Sequence, residues 1–166
     1  MTTIIQARRT FDAELAAATT PDAAFASLHR LAEALVGVRL FTVMTVDMDS
    51  GLACRAYSSD PISYPATGTK PIEMNAWFEV VHGRHEMFVA NSLAEIAKVF
   101  PDHELIGSLG CGSVVNLPVL RAGQLVATVN LLEAEGHYSP DRVERISAEL
   151  TLPAMASLSA ADLLGR

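Results

Sequence analysis

A chain of 166 residues, half of them apolar, is the size of one ordinary domain and carries enough hydrophobic mass to bury a core. Charged residues make up 19%, which excludes a disordered chain, and the formal charge of −7 argues against a nucleic-acid partner, whose phosphates select basic surfaces. No apolar run reaches the ~20 residues of a membrane span. The first nine residues lack the charged-then-apolar pattern of a secretory signal, so a cytoplasmic chain is expected, with Cys54 and Cys111 reduced.

Residues 3 to 18 are Ala-rich and place Ile4, Phe11 and Leu15 on one helical face. Thr20-Pro21-Asp22 is a helix start: a Thr cap, a Pro in the first turn and an acid near the positive dipole end. Phe25, Leu28, Ala32 and Leu35 then mark the packing face, and Gly37 ends the helix. Residues 40–47 and 52–58 read as two strands across the Asp49-Ser50-Gly51 turn. The stretch 59–75 holds three prolines and one glycine and reads as a long loop, a kind of segment that is usually functional.

Residues 77–82 read as one short helix, 87–90 as a short strand, and 93–99 as a helix stopped by Pro101. Residues 113–120 and 124–132 form a hairpin across Arg121-Ala122-Gly123. The last helix starts at Ser139-Pro140-Asp141, and Pro153 is expected to kink or interrupt it. A three-residue hairpin loop with Gly third pairs Leu120 with Gln124 and sets Asn116 opposite Thr128. Asn116, Thr128 and Asn130 then share one face of otherwise apolar strands. A two-residue loop shifts the register by one and separates Asn116 from the other two.

The run Phe88-Val-Ala-Asn91, then Leu109-Gly-Cys-Gly-Ser113-Val-Val-Asn-Leu-Pro118, then Gly123-Gln-Leu-Val-Ala-Thr-Val-Asn-Leu-Leu132 resembles the second half of a GAF domain. The element order agrees, and the resemblance runs from about residue 22 to about 158. It implies an α+β fold: a central antiparallel sheet with the N- and C-terminal helices on one face and a ligand pocket on the other. It also implies a single domain over 1–166, with 1–19 a dimerisation helix, 20–158 the core and 159–166 the end of the last helix. The expected function is a small-molecule-binding sensory or regulatory module: a homodimer acting through a separate output protein, with no membrane partner.

The candidate ligand-binding residues are Tyr57, Tyr64, Trp77, Cys111, Asn116, Thr128 and Asn130. Buried amides and hydroxyls need partners, which a ligand or water supplies, or else loop backbone does. Tyr57, Tyr64 and Trp77 form an aromatic wall on this reading; the competing reading makes Trp77 a core anchor. Arg55 and Lys70 either meet a ligand carboxylate or are solvated surface charge. Cys111, between two glycines, either lines the pocket or is a small residue in a tight turn, and Cys54 reads as an inert mid-strand thiol.

His82, His85, His103 and His137 lack metal spacing, and no catalytic residue, metal or cofactor is assigned. The alternative is a thiol-dependent redox enzyme related to free methionine-(R)-sulfoxide reductases, which this chain resembles around Phe100-Pro-Asp-His103. Their catalytic cysteine falls three residues after that histidine, at Ile106 of this chain, which disfavours the reading. Bilin-binding GAF domains carry a Cys beside a His, and Cys111 has no such neighbour. Asn91, Lys98, Phe100 and Asp102 follow the order of the cyclic-nucleotide signature at the wrong spacing.

Overall fold

The computed structural model describes residues 3–66 and 68–166. Residues 1 and 2 of the expected dimerisation segment, and residue 67 of the expected loop, lie outside the described residues.

Helix α1 spans Ile4–Ala17 and opens on a capping box between Thr3 and Gln6. Helix α2, Pro21–Val36, is capped by the Thr20 hydroxyl, which accepts from the Ala23 N–H. Strands β1 (Leu40–Asp47) and β2 (Leu52–Ser58) pair antiparallel across the expected turn. Within the expected loop lies a short edge strand, β3, Thr69–Pro71, paired with β2. Helix α3, Ala76–Phe78, runs into a single π-helical turn at Glu79–Gly83. Strand β4 (Phe88–Ala90) and helix α4 (Leu93–Ala97) follow, then helix α5 (His103–Ser108), for which the sequence carries no helix signal. Strands β5 (Ser113–Arg121) and β6 (Gln124–Glu133) form the long hairpin. Helix α6, Pro140–Leu164, runs unbroken through Pro153, so the expected interruption does not occur.

The six strands make one antiparallel sheet in the order β3-β2-β1-β6-β5-β4. Helices α1, α2 and α6 cover one face. There Phe11, Phe25, Leu28, Ile146 and Leu150 pack on Phe41, Val43, Val115, Leu117, Val129 and Leu131. The opposite face is roofed by α4, α5 and the loops, with Ile96, Ile106 and Tyr64 packed near Leu40, Val114 and Leu132. The fold is thus the expected α+β arrangement with helices on one side.

The β5–β6 register corrects the sequence reading. The turn has two central residues, with Arg121 opposite Gln124. Ala122 and Gly123 both take positive φ, 51° and 77°, as a type I′ hairpin turn requires. That loop alone would part Asn116 from Thr128 and Asn130. A bulge restores the parity: Leu120 pairs Leu125, but Val119 pairs Ala127, leaving Val126 extra. Asn116 therefore faces Asn130 rather than Thr128, and Thr128 faces Pro118. The three polar residues share a face, in a register two residues away from the expected one.

Ala122 is the costly residue of that turn, because a Cβ disfavours the left-handed region by roughly 1–2 kcal/mol and Asn tolerates it better. Ala122→Asn should raise the melting temperature by about 2–4 °C. An unchanged or lower melting temperature would count against the type I′ assignment.

Candidate functional site

A cavity of about 240 Å³ lies between the sheet and its roof. That is just below the ~300–1,000 Å³ of typical small-molecule sites. Its floor is the pocket face of β1, β2, β5 and β6, where Thr42, Met44, Arg55, Asn116, Thr128 and Asn130 emerge. Its roof comes from three segments, carrying Tyr64, Trp77 and the Phe100–Ile106 stretch.

The floor's polar groups are joined in one direction. The Trp77 indole N–H donates to Asn116 Oδ1 at 2.9 Å. Asn116 Nδ2 donates to Asn130 Oδ1 at 2.6 Å, and Asn130 Nδ2 donates to Thr42 Oγ1 at 3.0 Å. Asn116, Asn130 and Thr42 are all buried. Their partners are therefore one another and Trp77, neither loop backbone nor a required ligand. Each amide has two N–H donors and spends one in the relay. Thr42 also keeps its hydroxyl proton, so the relay is satisfied yet has capacity to spare.

The roof segments are tied together. Trp77 meets Phe100 edge-on at 6.3 Å, and Asn75 Nδ2 donates to the Val99 carbonyl at 3.1 Å. Tyr64 donates its phenol proton to Asp102. Burial first, and that hydrogen bond second, hold the phenol well above the usual tyrosine range, so it stays protonated. The Arg55 guanidinium lies over the Tyr64 ring, 3.8 Å from its centre, and donates to the Pro65 carbonyl at 2.7 Å.

Five of the seven sequence-named residues come together here: Tyr64, Trp77, Asn116, Thr128 and Asn130. Tyr57 does not. It packs on the helix side with Phe25, His29 and Phe41. The cause is a second bulge: Tyr57 pairs Val43, but Arg55 pairs Met44, and the extra residue Ala56 turns Tyr57 away while Arg55 enters the cavity. Simple alternation from Arg55 puts both on one face, which is why the sequence misplaced Tyr57.

Cys111 is also displaced. It is buried beside Leu40, Ile96, Ile106 and Leu132 and does not line the cavity. Its neighbour Gly112 lies against the Glu135 backbone, where a Cβ would meet Glu135 Cα at 3.1 Å. Burial pushes the Cys111 thiol up to about 11, with nearby Arg39 opposing only in part. Cys54 pairs with Thr45 on β1 and so faces the helix side. Strand β2 is three strands from β5, about 14 Å at sheet spacing. The two thiols thus lie too far apart for a disulfide, which needs Cα atoms within ~7 Å.

Sequence reasoning missed Met44, Phe78, Phe100 and Ile106 as cavity wall. The alternation of β1, with Thr42 and Met44 two residues apart, was the signal available for the first. The roof residues sit on short segments with no readable period.

No family model matches this sequence, and no curated protein matches it. Solved structures do match. The GAF domain of a two-component sensor histidine kinase from Bacillus halodurans superposes with a TM-score of 0.71 at 13% identity, over 90% of this chain and 100% of that one. The GAF domain of a phosphoenolpyruvate-protein phosphotransferase from Coxiella burnetii gives 0.71 at 18% identity, over 98% and 96%. The chain has a GAF-like fold. A free methionine-R-sulfoxide reductase from Neisseria meningitidis, solved with its substrate, gives 0.61 at 15% identity, over 96% and 92%.

In this GAF-like domain Ile106 is buried and lines the cavity. The position that the reductase resemblance assigns to a nucleophile therefore belongs to the cavity wall, and it holds a side chain with no chemistry. Among the described residues, no group of three or more His, Cys, Asp or Glu gathers to hold a metal, and no helix is long and apolar enough to cross a membrane.

A thiol raised from 9 to about 11 carries about a hundredfold less thiolate at neutral pH. Iodoacetamide at pH 7.5 should therefore modify Cys111 of the folded protein at least about a hundredfold more slowly than a free cysteine. Rapid alkylation of Cys111, read by peptide mass mapping, would contradict the buried, protonated assignment.

Proposed function

We propose that residues 1–166 act as one small-molecule-binding sensory or regulatory domain that signals through a separate protein. The ligand lies in the cavity between Trp77 and the β1–β6–β5 floor. The observation that carries this reading is the polar relay set in an otherwise apolar cavity, with donors left over on Thr42, Asn116 and Asn130. Ligand hydrogen bonds to that floor fix orientation, and the aromatic and aliphatic wall contributes burial at roughly 25 cal/mol per Å². The sensory assignment draws support from fold neighbours such as the histidine kinase domain.

Trp77 is the single tryptophan, so its emission reports the cavity directly. Titration with hexanoate, hexanamide, hexylamine, phenylacetate, phenylacetamide and phenethylamine should give a saturable change with at least one. Thr128→Val removes a hydroxyl that stands outside the relay. It should weaken that compound by about 1 kcal/mol and leave the melting temperature unchanged. Asn130→Ala breaks two relay bonds and should lower both binding and stability, by about 1–3 kcal/mol each. Emission that none of the six compounds moves would sink the reading.

We further propose a homodimer through the terminal helices. The sequence expects its seam at Ile4, Phe11, Leu15, Leu158, Leu163 and Leu164; of these Phe11 and Leu158 are buried in the chain's own core, while Ile4, Leu163 and Leu164 are exposed. Ile5, Leu152 and Met155 are exposed as well and complete the proposed seam. Scattered apolar residues need no explanation, but a set on two terminal helices suits a self-complementary contact. Sedimentation at micromolar concentration should give a dimer, and the double substitution Ile5→Glu with Leu163→Glu a monomer. A wild-type monomer would refute this.

A further inference from the structure

Arg55 is a cation on the cavity wall that no carboxylate meets. Its guanidinium is set by the Ala56 bulge, rests on the Tyr64 ring and donates to the Pro65 carbonyl. Its Nε is buried and has no hydrogen-bond partner. Among the described residues the ion pairs join Arg8–Glu149, Arg30–Glu14, Arg39–Glu133, Arg84–Glu86 and Arg121–Asp162, and Arg55 takes part in none. Two carboxylates line the same cavity, but Asp102 is engaged by the Tyr64 hydroxyl and Glu73 sits at the exposed rim. A guanidinium whose buried Nε donor is unanswered leaves a desolvation cost that an incoming anion would offset.

The planar fork of Arg matches a carboxylate through two parallel hydrogen bonds. Lys70, also on the cavity wall and solvent-exposed, adds a second positive charge at the entrance. The cavity wall also offers apolar surface, from Met44, Val46, Trp77, Phe100, Ile106 and Leu132. Arg55 pairs Met44, and Met44 pairs Thr128, so the cation and the Thr128 hydroxyl stand two strands apart, about 10 Å at the backbone. Once both side chains reach inward, that separation suits a short ligand with a charged head and an apolar body.

We propose that the cavity selects small organic acids: the carboxylate lies on Arg55, and the apolar body lies against Trp77, Phe100 and Ile106. This rests on the reading of the cavity as a ligand site. Arg55 is then the specificity residue, and Asn130 and Thr128 orient the far end. The amide relay discriminates poorly between charged and neutral ligands, because it offers donors to either. Arg55 supplies the discrimination.

The test uses the full chain and the six compounds above, which form two series of acid, neutral amide and amine on a common body. At pH 7.5 hexanoate or phenylacetate should bind at least about tenfold more tightly than its own amide, as a charge-assisted pair yields, and its amine should be weaker still. Arg55→Met keeps an apolar stem and removes the guanidinium and its charge. It should bring the acid-to-amide ratio to about one while the amide's affinity stays within about twofold. Arg55→Lys keeps the charge, so its fold is safeguarded, and loss of the fork should still cut the acid preference by about threefold or more. If amides or amines bind as tightly as the acids, or both variants keep the full acid preference, the inference fails while the cavity still binds ligands. If no compound moves Trp77 emission, the cavity reading itself fails and takes this one with it.

Discussion

Every side chain on a strand must face one of two sides, and in this sheet the choice is governed by two single-residue bulges. Ala56 in β2 and Val126 in β6 each stand unpaired where the ladder shifts. Each reverses the alternation beyond it. Without Ala56, Arg55 and Tyr57 would face the same side, and the cavity would either lose its cation or gain a phenol that belongs to the helical core. Without Val126, the two-residue turn would send Asn116 under the helices, into a layer of Val, Leu and Ile with no polar partner. The helix face and the cavity face are thus sorted by irregularities rather than by the regular pleat.

What the second bulge places on the cavity side is a continuous polar chain, and the chain couples roof to floor. Trp77 belongs to the roof, whereas Asn116, Asn130 and Thr42 belong to three adjacent strands. A buried amide left unpaired costs about 1–3 kcal/mol, so Asn116 and Asn130 favour the arrangement in which Trp77 is lowered onto the sheet. Tyr64 and Asp102 do the same between two roof segments, and Asn75 ties Trp77's helix to the Val99 carbonyl. The roof segments are short and carry little helix of their own, so these few bonds and the Trp77–Phe100 contact hold its shape. The same bonds thus fix where Trp77 stands over the cavity floor.

Much of the frame was legible because it obeys local chemistry. Thr20-Pro21 and Gly37 bound α2 as capping rules require, and the β-branched runs of β1, β5 and β6 are strands. The sharing of one face by Asn116, Thr128 and Asn130 was also inferred, but through a register that two compensating departures replaced: a shorter turn and a bulge. Bulges leave no compositional mark on Ala56 or Val126, so the errors concentrate there, and Tyr57 is the clearest. Strand β3 is three residues long, includes Pro71 and is fully exposed, so no periodicity can reveal it. Helix α5 is six residues long and lacks a side-chain cap, which removes both signals of a helix start. The placement of Cys111 depended on its packing among Leu40, Ile96, Ile106 and Leu132, long-range contacts that no neighbouring residue encodes.

The cavity's chemistry then follows from which residue types hold which positions in a common fold. At the wall position where the reductase resemblance implies a nucleophile stands Ile106, and the nearest thiol in sequence, Cys111, is packed behind the wall with its proton held. A thiolate there would need solvation or a cation close enough to offset burial, and Arg39 is instead paired with Glu133, whose own charge works against ionisation. Among the charged groups lining the cavity, Arg55 is the one whose buried donor has no partner, while Asp102 is engaged by the Tyr64 hydroxyl. Around it lie the amides and hydroxyls of the floor and the apolar carbon of Met44, Phe100 and Ile106, with Trp77 joining the roof to that floor through Asn116.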